Sequence, residues 1–165
     1  MIKLRFFKHF SLLMLTALVL LSCNRPAFYD ESLRLKEDKW PKDEALSFKV
    51  DVADTSSAYR FFINVRNSTA YEYNNIYFFL TTEFPGGGQA RDTIECTLAS
   101  REGKWLGKGS GKYRDNRIFI REDIFFPQKG VYTFRLNQAM RHEVLQGISE
   151  AGIRLEKQEK SVPES

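Results

Sequence analysis

The sequence predicts an all-β fold, an antiparallel sandwich of jelly-roll type, with one short helix near its C-terminus. Two observations carry this. Apolar and polar residues alternate with a period of two along run after run of the 165-residue chain, which is the pattern of strands with one face buried. Clusters of Gly, Pro, Asn and Asp separate the runs, at spacings too short for a helical crossover between parallel strands.

Leu46, Phe48, Val50 and Val52 alternate with Ser47, Lys49 and Asp51. Tyr59, Phe61, Ile63 and Val65 alternate with Arg60, Phe62 and Asn64. Tyr73 to Phe84 is aromatic and β-branched, and Ile76-Tyr77-Phe78-Phe79-Leu80 is apolar on both faces, as a central strand requires. Ile94, Cys96 and Leu98 form the next strand. Arg117 to Arg121, Tyr132 to Leu136 and Ile153 to Leu155 complete the set. Pro85-Gly86-Gly87-Gly88 marks a loop, Gly103 the tip of a hairpin over 100–103, and Pro127 to Gly130 a turn. The helix is expected over Asn137 to Leu145, where Gln138-Ala139-Met140-Arg141 are good helix formers and Asn137 is an N-cap type.

The N-terminus reads differently. Lys3, Arg5 and Lys8 precede an apolar run from Phe10 to Leu21, and Ser22 stands directly before Cys23. Basic, apolar, small, cysteine is the order of a bacterial lipoprotein signal, and the run is short of the roughly 20 apolar residues a spanning helix needs. Residues 1–22 are therefore read as a cleaved leader and Cys23 as the lipidated first residue, anchored by its acyl chains. Residues 23–43 are polar and read as a tether, reaching on the order of 60 Å if extended. The β domain is expected over 44–157 and a disordered tail over 158–165.

Lys and Arg number 25 against 21 Asp and Glu, but three of the basic residues lie in the leader. The mature chain is nearly neutral, which gives no basis for nucleic-acid binding. With Cys23 committed to lipid, Cys96 has no partner for a disulfide. It reads as a buried small hydrophobe; the rival, a catalytic thiol, would have to use His142, the one histidine left in the mature chain. His142 itself reads as a surface residue. Zinc needs three or four ligands, which this inventory does not supply, so no metal and no cofactor are expected.

Gly103-Lys104-Trp105-Leu106-Gly107-Lys108-Gly109-Ser110-Gly111-Lys112 fails the spacing of a phosphate-binding loop. It is either a bulged, glycine-rich edge or a recognition loop presenting Trp105 with Lys104 and Lys108. Tyr73, near a turn, is a further recognition candidate, with surface and core placements both open. Asp92 and Glu95, three apart on a strand, point to opposite faces. No catalytic residues are assigned.

Several segments together resemble the gliding-motility-associated lipoproteins of the GldH type. They are Ser22-Cys23, Asn64-Val65-Arg66-Asn67, Tyr73-Asn74-Asn75-Ile76-Tyr77-Phe78, Asp92-Thr93-Ile94-Glu95 and Gly103-Lys104-Trp105-Leu106-Gly107-Lys108-Gly109. Phe126-Pro127, Gly130 to Phe134, Gln138 to Arg141, Gly147-Ile148 and Ala151 to Lys157 follow in order. The resemblance implies a lipid-anchored accessory protein of the cell envelope, expected at the outer membrane; Asn24-Arg25-Pro26 after Cys23 carry no acidic surface-export signal, which favours a periplasm-facing domain. Its partners would be other gliding lipoproteins and type IX secretion components, and it implies no catalytic residues. The alternative is a glycan-binding envelope module built on Trp105 and nearby tyrosines; a hydrolase using paired carboxylates is a third reading. Asp92-Thr93-Ile94 also resembles an O-glycosylation pattern, with Thr93 as acceptor; the competing reading is an ordinary strand.

Overall fold

The computed structural model describes residues 27–158. The leader, Cys23 and most of the expected C-terminal tail lie outside them. Among the described residues, ten strands make up nearly all of the regular structure: β1 (Tyr29–Arg34), β2 (Lys39–Pro41), β3 (Leu46–Val52), β4 (Tyr59–Ser68), β5 (Asn75–Glu83), β6 (Gln89–Thr97), β7 (Tyr113–Ile124), β8 (Gly130–Gln138), β9 (Val144–Gln146) and β10 (Ile148–Lys157).

Eight of these strands form two four-stranded sheets. The first has the order β1-β10-β4-β7 and the second β3-β8-β5-β6, while β2 and β9 pair separately. The antiparallel pairs β1·β10, β3·β8, β4·β7 and β5·β6 are the rungs of one long hairpin. Folding that hairpin over itself brings β10 against β4 and β8 against β5. This is the jelly-roll connectivity, and the expected fold class is the observed one.

The period-two pattern sets the packing. In β3, residues 46, 48, 50 and 52 are buried and the intervening ones exposed. In β4, Tyr59, Phe61, Ile63 and Val65 face inward. Phe61 of the first sheet meets Phe134 of the second at 5.6 Å between ring centroids. Removing each such side chain from water contributes roughly 1.5–3 kcal/mol, and the sandwich is built from some two dozen of them. Strand β5, apolar on both faces, is indeed central; its outward Phe79 lies under the Arg91 guanidinium at 4.0 Å.

Two expectations are corrected. Most of the expected tether is folded: β1 pairs along its whole length with β10, β2 pairs with β9, and Leu35 and Trp40 are buried in the core. The Trp40 ring packs on Phe78 at 5.7 Å, and its Nε1 donates to the Glu44 carbonyl at 2.9 Å. Strand β1 carries Tyr-Asp-Glu-Ser-Leu-Arg, polar because it is an edge strand with one face in solvent.

The helix over 137–145 is also absent. β8 runs on to Gln138, whose buried side chain donates to the His142 carbonyl at 2.8 Å and accepts from the Met140 amide at 2.8 Å. That side chain closes an irregular bend, and β9 follows. The good helix formers are overridden because Leu136 and Gln138 occupy inward strand positions.

The sandwich has two poles. At one, which we call proximal, β1 begins beside the end of β10 (Tyr29 opposite Leu155), and β4 begins beside the end of β7 (Tyr59 opposite Ile124). The β5–β6 loop and the turn before β8 close the same pole. At the other, distal pole lie the β4–β5 and β6–β7 connections and the β2·β9 pair.

Candidate recognition surfaces

The β6–β7 connection builds the first surface. Ala99 and Trp105 form an isolated bridge, and the Gly103 amide donates to the Ser100 carbonyl at 3.0 Å, closing the expected tip. The chain then returns: the Leu106 amide donates to the Leu98 carbonyl at 2.9 Å, and Lys108 and Asp115 exchange both backbone bonds. Gly107 comes so close to Asn116 that a Cβ on it would lie 2.7 Å from the Asn116 Oδ1. Beneath it, the Asn116 Nδ2 donates to the Asn67 Oδ1 at 2.9 Å and to the Val65 carbonyl at 3.1 Å. The loop is thus a lid on a buried amide pair, and Gly107 is the residue that lets it close.

This geometry places the candidate residues. Trp105 is half-buried and packs on the core. Lys104 and Lys108 are exposed, and the most protruding apolar side chain of the loop is Leu106, 58% exposed. Leu106 was not singled out from the sequence; its signal was an apolar residue set between loop glycines. Tyr73 is half-buried, its hydroxyl 2.5 Å from His142 Nε2, and its ring lies 5.6 Å from that of Tyr71. Asn74 joins the two segments, because its carbonyl accepts from the amides of Leu98 at 2.7 Å and Ala99 at 2.9 Å. Tyr73, His142, Lys104, Trp105 and Leu106 therefore share the distal pole, with exposed Tyr77 and Val144 alongside.

The outer face of the first sheet is a lattice of matched charges. Asp30 on β1 pairs with Arg154 on β10, accepts from the Asn64 Nδ2 on β4 at 2.8 Å, and lies 3.7 Å from Arg117 on β7. Glu156 joins Arg154 at 2.7 Å to Arg60 at 2.8 Å. Arg154 is almost wholly buried, and its carboxylate partners hold its guanidinium charged against the cost of that burial. A polar groove of about 690 Å³ lies between this face and Leu106-Gly107-Lys108, lined also by Ser32, Arg66 and Glu150.

A second, apolar cleft of about 500 Å³ opens where β6 and β7 face each other across the two sheets, over Phe61, Ile94, Ile120, Phe126 and Phe134. Thr93 stands exposed on β6 opposite Phe79. Cys96 is fully buried, and burial, aided by the Glu95 charge, pushes its thiol up to about 12. It is protonated and inaccessible, without nucleophilic character. Among the described residues no cluster of three or more His, Cys, Asp and Glu converges, and no helix is long and apolar enough to cross a membrane.

The model of the GldH lipoprotein family matches residues 27–155, from the residue before Phe28 to the core end of β10. The chain belongs to this family. Two relatives agree. The gliding motility lipoprotein GldH homolog of Christiangramia forsetii is 33% identical over 149 residues, 86% of this chain and 91% of the relative. The gliding motility lipoprotein GldH of Flavobacterium johnsoniae is 30% identical over 159 residues, 92% of this chain and 98% of the relative. The GldH lipoprotein match begins ahead of β1, so the unit it describes includes the strands that the polar N-terminal sequence conceals.

Proposed function

We propose that this chain is a lipid-anchored accessory protein of the cell envelope, anchored through Cys23 at the outer membrane and facing the periplasm. It serves gliding and the type IX secretion machinery through protein contacts. The observation that carries the reading is the family match over the whole β domain, from residue 27 to 155, together with relatives described as gliding motility lipoproteins. The distal pole supplies the contacts: Leu106, Tyr77 and Val144 are exposed apolar side chains of that pole, and Lys104 and Lys108 are exposed on the same loop as Leu106.

Complementation tests this. A deletion strain should lose surface spreading or secretion of exported proteins. The wild-type gene should restore it, and Cys23→Ala should not. Full restoration by Cys23→Ala would show that the anchor is not needed for this role. Thr93 is proposed as an O-glycan acceptor, supported by its exposure within Asp92-Thr93-Ile94; the intact mass of the native protein should exceed that of Thr93→Ala by a sugar mass, and equality beyond the side-chain difference would refute it.

A further inference from the structure

We infer that the proximal pole of the sandwich rests directly on the lipid surface, with Phe28 and Phe125 set into the membrane interface, so that the distal pole always faces away from the membrane. The inference rests on the anchoring at Cys23 proposed above.

The chain holds two cysteines, and Cys96 is fully buried between the sheets. Cys23 is thus the sulfur of a lipoprotein that can bear acyl chains. Three residues, Asn24 to Pro26, separate it from Ala27, where the described structure begins, so four Cα-to-Cα steps join the two. Even fully extended, four such steps span only about 14 Å. The tether read from sequence would have allowed the domain to hang several domain radii from the membrane; the folded β1 and β2 remove that freedom.

What lies within this reach is apolar. Phe28 is 38% exposed, with its ring 4.9 Å from that of Tyr59. Tyr59 stacks edge-on to Phe126 at 5.2 Å, and Phe126 on Tyr132 at 4.8 Å. Phe125, the residue beside Phe126, turns outward and is 59% exposed. Phe28 and Phe125 thus flank one rigid aromatic stack at the place where the chain leaves for its anchor. Val131, also exposed, is the second residue of β8 at the same pole. Aromatic side chains backed by a packed core suit the headgroup boundary. Exposed ionic groups at this pole are of both signs: Asp51, Glu122 and Asp123 with Arg121 and Lys129, and Lys157 is paired with Asp54 at 2.6 Å. The seat is apolar in character and independent of anionic lipid. Because the anchor holds the domain at high local concentration over the bilayer, modest apolar contacts suffice to orient it.

The test uses the full, lipidated protein reconstituted in vesicles of phosphatidylethanolamine and phosphatidylglycerol, with or without acyl-brominated lipid. Intact mass first establishes the acyl chains. Two chains are compared: wild type, whose Trp105 reports the distal pole, and Phe125→Trp combined with Trp105→Phe, which reports the proximal one. Trp40 is buried in both and contributes the same background. Brominated lipid should quench at least half of the emission from position 125 and leave wild type unchanged, in low and in high salt. A lipidated protein in which position 125 is no more quenched than Trp105 would overturn the seat alone. A mass without acyl chains would overturn the anchor, and the seat with it. Equal melting temperatures of the two chains ensure that the comparison is between folded domains.

Discussion

Gly152 on β10 lies so close beneath β1 that a Cβ built on it would stand 2.1 Å from the Glu31 carbonyl oxygen. Ser32, its pairing partner, would be hit as well, at 2.4 Å from Oγ and 2.6 Å from Cα. The contact is backbone against backbone, which no rotamer change relieves. It is how β1 settles onto the sheet and allows Asp30 to reach Arg154 and Arg117.

Gly152→Ala should therefore displace β1. Overpacking of this kind costs about 1–3 kcal/mol, and the loss should concentrate in the first strand. Hydrogen exchange should show amides of 29–34 losing protection while those of β5 and β8 keep theirs. Unchanged protection in β1 would mean that the close approach is not a constraint.

Trp40→Ala removes the largest fully buried side chain. A loss of about 3–5 kcal/mol is expected, read as a fall in the denaturant midpoint. A tether residue would show no change, so this substitution separates a folded 29–41 segment from a linker.

Asp54 accepts from Lys157 Nζ at 2.6 Å, from the hydroxyls of Ser57 and Ser56, each at 2.7 Å, and from the Ser56 amide at 2.9 Å. These donors, Lys157 first, hold its carboxyl well below the usual carboxylate range. A depressed folded value means that stabilisation is complete above the unfolded value of about 3.9 and is lost as pH falls through the folded one. Asp54→Asn should lower the melting temperature at pH 6, and the gap from wild type should close as pH drops below about 4. A gap that stays constant with pH would exclude the ionised carboxylate as its origin.

Cys96 should not react with a thiol reagent at pH 8 in the folded protein and should react fully in denaturant, since the thiol is both buried and held protonated. Rapid labelling of the native chain would contradict its placement between the sheets.

The strands legible in the sequence were those with one face in the core, because burial imposes the period-two pattern on Leu46 to Val52 and Tyr59 to Val65. An all-β sandwich or barrel was legible from their number and spacing, whereas the jelly-roll connectivity is set by the long-range pairing of β10 with β4 and β8 with β5. Strand β1 was hidden because an edge strand needs few apolar side chains, and Tyr29 and Leu33 alone do not make a period. The segment 137–145 misled for the opposite reason: local helix propensity was high, and the tertiary demand on Leu136 and Gln138 outweighed it. At the distal pole, the choice at Trp105 between packing and presentation depended on where the loop folds. That is set by Gly107 closing over Asn116, a contact between residues nine apart that no local pattern announces. Leu106 emerges as the presented side chain for the same reason.

The molecule is proposed to be polar, with lipid at the proximal pole and protein partners at the distal one. The most direct measurement places a photo-crosslinking amino acid at position 106 of the native lipoprotein in living cells and identifies the adducts by mass spectrometry. Discrete protein adducts among gliding or secretion components are expected, lost when the same amino acid is placed at position 125. Lipid adducts at position 106, or protein adducts only at position 125, would contradict this polarity.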